Sequence, residues 1–233
     1  MKTTKFKVYS FIELILYFIL LIFQIIYLSY GYNLLDKSRD IFIYIAILHV
    51  LITLVSLIYS SYLFFKNKDK EIIREDLFII YFIFIFVADI FFSFVKIDFI
   101  GHILFILAYL LLMFIRQARI YEYIGAFVLG SIILVTFLIL KRLSLIMAID
   151  SFLASLIIIN MIFSIIKFIK KRDNISLIMM IASILIFISD LSIGISALLF
   201  VNVYLSNTLC LLIWPTYILA CILLNLYYKS FRE

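Results

Sequence analysis

Long apolar runs, broken only by short charged stretches, recur along this chain from end to end. A run of about 20 apolar residues is the length that crosses a bilayer as a helix, and backbone inside hydrocarbon must satisfy its own hydrogen bonds. The longest polar stretch, residues 66–76, is too short to fold as a domain. With 67% apolar residues, no part of the chain is left over for a soluble module. The expected fold class is all-α: a polytopic integral membrane protein, one transmembrane domain over residues 1–233. Eight spans are expected, at about 8–30, 41–65, 77–95, 99–115, 123–140, 143–166, 175–201 and 204–228. The first follows Lys2, Lys5 and Lys7 as a signal peptide would. It is too long for one and lacks a small-residue cleavage site, so it reads as an uncleaved first span.

The net charge of +6 reads as topology rather than as a nucleic-acid surface. With eight spans, one face collects fifteen of the twenty basic residues, from Lys2 through the 66–74, 116–119 and 167–172 stretches to Arg232. The other face has Lys37, Arg39, Lys96, Lys141 and Arg142. That bias predicts both termini in the cytoplasm and residence in the cell (plasma or inner) membrane. No Gly-rich nucleotide loop is present. Cys210 and Cys221 fall on one helix about 16 Å apart, too far to bridge. His49 and His102 fall on different spans with no Cys/His cluster, so neither a metal nor another cofactor is expected.

Two carboxylates interrupt the apolar runs, Asp89 in Val87-Ala88-Asp89-Ile90 and Asp190 in Ile188-Ser189-Asp190-Leu191. A carboxyl group in hydrocarbon is costly and marks a functional position by default. At about 1.5 Å per residue, Asp89 lies about 18 Å and Asp190 about 22 Å from the cytoplasmic edge. Asp150, on an inward-running span, lies about 10 Å below the outer edge. Three acids at a similar depth predict a shared polar cavity. Tyr109 and Tyr217 fall near mid-membrane, either donating into that cavity or packed with the hydroxyl on a carbonyl, and Pro215 frees a carbonyl near Tyr217. Glu13 is expected to reach the cytoplasmic edge, and His102 to be interfacial.

Phe187-Ile188-Ser189-Asp190, followed a span later by Thr216-Tyr217-Ile218-Leu219-Ala220, resembles the C-terminal signature of the YhhN-like lysoplasmalogenase family. Ala88-Asp89, followed by Phe99, Gly101 and Phe105, resembles that family's first-half motifs. Ala88, Tyr109 and Cys221 stand where the family usually has Gly, His and Gln. The resemblance implies eight spans and hydrolysis of the vinyl ether of a lysoplasmalogen, a lysophospholipid-type amphiphile drawn from the bilayer. It implies Asp89 and Asp190 as the catalytic pair. Candidate substrate-binding positions are Tyr109, Tyr217, Ser189, Gly101 and Asp150. Lys96, Asn202 and Asn207 are candidate phosphate ligands.

Vinyl ether hydrolysis begins with protonation of a carbon, and two carboxyl groups in one site can divide into acid and base. A proton- or cation-coupled transporter is the alternative reading, because Asp89 and Asp190 stand 101 residues apart in two successive halves. A non-catalytic accessory protein, with each Asp only fixing helix packing, is the third.

Overall fold

The computed structural model describes residues 2–30, 37–66, 76–95, 97–140, 144–198 and 203–232. They form α1 (Lys2–Tyr30), α2 (Lys37–Lys66), α3 (Phe78–Ile90), α4 (Asp98–Ile115), α5 (Ile120–Ile139), α6 (Leu145–Lys171), α7 (Asn174–Leu198) and α8 (Val203–Arg232). Helices α1, α2 and α4 to α7, and α3 together with the turn that continues it to Val95, are long and apolar enough to cross a membrane, and α8 has 30 residues. An integral membrane protein follows from that pattern. Lys96 and Asn202, and the side chain of Asn207, lie outside what the structure describes.

Neighbouring helices define the architecture. α2 packs on α3, α3 on α4, α4 on α6, α6 on α7, α7 on α8, and α8 back on α2. Six helices therefore close a ring. α1 lies outside it, in the groove between α2 and α8, and α5 lies outside it against α6. Burial follows this order: 22% of the α1 span and 17% of the α5 span are buried, against 50% of α2. The exposed faces of the two outer helices carry Phe11, Phe18 and Ile22, and Phe127, Ile132 and Ile139. Large apolar side chains directed outward all round are what lipid contact requires.

The ring is plugged on the half nearer the chain termini. Phe78, Phe82, Leu112, Met113, Leu224 and Tyr228 are all at most 1% exposed there, and Phe78 stacks on Tyr228 with ring centroids 5.3 Å apart. A polar lock ties α4, α5 and α6 at the same end. Arg116 donates through Nε to Asn160 Oδ1 at 2.8 Å and pairs with Glu122. Lys167 Nζ donates to the Arg116 carbonyl at 2.8 Å. Glu122 also accepts the Arg119 N–H at 3.0 Å, which caps α5. That cap starts α5 at Ile120, three residues earlier than the span boundary expected from hydropathy.

One departure bears on function. The third span is not α-helical throughout: α3 gives way after Ile90 to a π-helical turn, Phe91–Val95. Wide turns of this kind re-aim side chains, and they recur at functional sites. Here the turn follows Asp89 by one residue and carries Phe92 and Ser93 to the cavity described next.

A candidate active site in the ring of helices

A cavity of about 440 Å³ occupies the half of the ring away from the termini. All six ring helices line it: His49 from α2, Asp89 from α3, His102 from α4, Asp150 from α6, Asp190 and Ser189 from α7, and Tyr217 from α8. Apolar residues, among them Ile45, Leu153, Ile157, Ile193 and Ile213, make up most of the remaining wall. Mostly apolar walls with a few convergent polar groups are the usual make-up of a small-molecule site.

Each central carboxyl group is held by a tyrosine from the other half of the chain. Tyr217 donates to Asp89 Oδ2 at 3.2 Å. Tyr109, reaching from behind the wall, donates to Asp190 Oδ2 at 3.1 Å. The two environments are unequal. Asp89 is 1% exposed, with His49 Nε2 at 3.4 Å from its Oδ1 and the Thr53 hydroxyl beside it. The His49 ring meets Tyr217 edge-on at 5.3 Å between centroids. Asp190 is only partly buried and faces the cavity. Every hydrogen-bonding neighbour of the pair named here can be neutral, and among the described residues neither acid forms an ion pair with Lys or Arg.

A third acid stands nearer the rim. Asp150 Oδ1 lies 2.9 Å from His102 Nε2, and the Asp150 side chain is 43% exposed. His102 Nδ1 is 2.6 Å from the Asp98 carbonyl. A carbonyl only accepts, so Nδ1 is the donor in that contact and Nε2 faces the Asp150 carboxyl group. His102 also meets Phe92 edge-on at 4.8 Å. It is thus a member of the cavity wall, where the sequence suggested an interfacial residue.

Ser189 lines the cavity and donates to the Ile213 carbonyl at 3.2 Å, joining α7 to α8. Gly101 sits behind the wall: a methyl there would come within 2.7 Å of Phe92 Cε2, so its lack of a side chain makes room for that ring. Its contribution is to where Phe92 lies, one step removed from any ligand. Pro215 lies inside a helix that continues through it. Among the described residues, no group of three or more His, Cys, Asp or Glu is arranged to hold a metal ion.

Two features escape a reading of hydropathy. The π-helical turn has no Gly or Pro to announce it. His49 carried no motif, yet it heads a polar stripe at helical spacing on α2: His49, Thr53, Ser56 and Ser60, all at most 7% exposed. Polar residues at i, i+4, i+7 and i+11 share one helix face, and that spacing is the signal that was there to find.

Comparison of the chain with family models, with curated proteins and with solved structures returns no match.

Proposed function

We propose that the chain is an intramembrane hydrolase resembling lysoplasmalogenase, acting on the vinyl ether bond of a lysoplasmalogen through Asp89 and Asp190. One observation carries the reading: both carboxyl groups face one largely apolar cavity, each with a tyrosine hydroxyl and, among the described residues, neither with a Lys or Arg partner. The sequence motifs around both acids and Tyr217 support the substrate class. A cavity of this size lies within the range of about 300–1,000 Å³ usual for ligand sites.

In the proposed reaction a carboxyl group protonates the vinyl carbon distal to the ether oxygen, leaving an oxocarbenium ion. Asp190 is the better placed for this, being less buried and held by a single tyrosine. Asp89, supported by Tyr217 and His49, carries the balancing negative charge beside the cation. Water adds to the oxocarbenium carbon and gives up a proton to the pair. The hemiacetal hydroxyl then gives its proton to one member of the pair as the bond from that carbon to the glycerol oxygen breaks, and the other member protonates that oxygen, releasing a fatty aldehyde and a glycerophospho-alcohol. The alkyl chain would lie along Leu153, Ile157 and Ile193. Asp150 and His102 stand where a polar headgroup would rest. The basic-residue bias supports cytoplasmic termini, hence a cavity in the outer half of the cell membrane.

Purified protein in detergent, incubated with lysoplasmalogen, should release aldehyde. If none appears from folded protein, the reading fails. The 101-residue repeat of the two acids favours a second reading, a coupled transporter, which would need a sealed membrane and would show transport without turnover.

A further inference from the structure

A separate cluster of buried polar groups lies among α1, α2 and α8, toward the termini. Glu13 is its centre and is 0% exposed, not reaching the edge as its position along the chain suggested. Its Oε1 accepts the Ser56 hydroxyl at 2.9 Å. Tyr9 OH lies 3.2 Å from Ser56 Oγ. Asn225 donates to Tyr9 OH at 2.8 Å and to the Ser56 carbonyl at 3.3 Å. Ser60 Oγ lies 2.6 Å from Asn225 Oδ1 and 2.9 Å from the Ser56 carbonyl, and that carbonyl, which only accepts, fixes the direction of the amide.

Following the protons around this network leaves one group over. The Ser56 proton goes to Glu13 Oε1 and the Asn225 amide hydrogens go to Tyr9 and to backbone, while the Tyr9 hydroxyl hydrogen is directed to the Glu13 carboxyl group or to Ser56 Oγ. Glu13 Oε2, although buried, has no hydrogen-bond partner among the described residues. Neither has Ser10 Oγ, one turn earlier on the same helix. The ionisable groups facing Glu13 are Tyr9 on its own helix and Cys221 on α8, and neither supplies a positive charge. No ion pair to Glu13 occurs among the described residues. A buried carboxylate without a counter-charge is strongly disfavoured.

We propose that Glu13 anchors a binding site for a small monovalent cation, Na⁺, with Ser56, Tyr9 and Ser10 supplying neutral oxygens. Carboxylate and hydroxyl oxygens are the ligands that hard cations take. A single carboxylate matches a single positive charge and falls short of what a divalent ion needs. Glu13 Oε1, Ser56 Oγ and Tyr9 OH follow one another at 2.9 and 3.2 Å, close enough for one small ion to touch more than one of them. The site is distinct from the cavity. The α2 stripe joins them, with Thr53 beside Asp89 and Ser56 on Glu13.

The test is thermal unfolding of the purified full-length protein in detergent at pH 8, with NaCl exchanged for choline chloride at constant ionic strength. The Tm should rise with Na⁺ and saturate, by about 5 °C at a hundredfold excess over Kd. Glu13→Gln, which can still accept the Ser56 hydrogen bond, should lose the Na⁺ response, while Asp89→Asn keeps it. Ser56→Ala should raise the Na⁺ midpoint about tenfold. A wild-type Tm indifferent to Na⁺ overturns the proposal and leaves Glu13 as a protonated, purely structural acid. A response that survives Glu13→Gln, or a midpoint unmoved in Ser56→Ala, overturns it as well.

Discussion

The Arg116 lock and the Asp89/Asp190 cavity are both buried polar regions, and they satisfy charge in opposite ways. In the lock, a guanidinium meets a carboxylate, an amide oxygen completes it, and an ammonium group closes over the Arg116 carbonyl. Nothing is left to bind. In the cavity, acids are met by phenols and imidazole and face open volume. Desolvating both members of an ion pair is expensive, and a completed pair has no chemistry to offer. Acids met by neutral groups, with no fixed positive charge beside them, are free to take up or give away a proton. In a bundle this apolar, what an acid is paired with says more about its use than how deep it lies.

That contrast is broken or sharpened by substitution on each side. The largest effect is expected from Asp89→Asn or Asp190→Asn, each lowering aldehyde release by about 10²–10⁴-fold. Unfolding curves should stay near those of the wild type, because Asn keeps the tyrosine hydrogen bond. Retained turnover in both single variants would remove the cavity from catalysis.

Arg116→Ala should do the reverse. It leaves Glu122 buried and unpaired, at a cost of about 3–5 kcal/mol in unfolding free energy. Activity per folded molecule should hold. If turnover fell and stability did not, the lock would belong to the site.

Tyr109→Phe and Tyr217→Phe remove one donor from one acid, and each should reduce kcat about tenfold. A larger loss in Tyr109→Phe would identify Asp190 as the acid that meets substrate. Asp150→Asn should raise KM a few-fold (about 1 kcal/mol or less) with kcat nearly kept, given its position near the rim.

The smallest effect belongs to the surface. Hydrogen bonds from Ser176, through its side chain and its N–H, hold the exposed Asp173 carboxyl below the ordinary carboxylate range at the start of α7. A depressed folded value means that its contribution is present at neutral pH and is lost as pH falls through that value. Asp173→Ala should therefore lower Tm slightly at pH 7 and not at all in strong acid, as a pH series of melting curves would show.

Hydropathy made the helices legible because each one has to span lipid by itself. Asp89 and Asp190 were legible for the same reason: a carboxyl group stands out against hydrocarbon. Three acids at one depth also foretold a shared cavity, since depth along a helix is a local quantity. What sits opposite a residue is not local. Glu13 was expected to reach an edge because it is few residues from one, yet α2 and α8 cover it and Ser56 holds it. His49 and His102 looked unrelated because they lie on different spans, and the ring brings both to the same wall. The π-helical turn carries Phe92 against Gly101, a contact between helices with no one-dimensional mark.

The tyrosine that serves Asp89 lies 128 residues further along the chain. At about 5–20 residues per second of synthesis, that helix waits on the order of ten seconds for its hydroxyl. Until α8 is made and docked, α3 must be harboured by something else, whether water, the insertion machinery or a temporary neighbour. A chain truncated before α8 would keep every acid of the cavity and still carry one of them without its tyrosine, a ready mark for quality control.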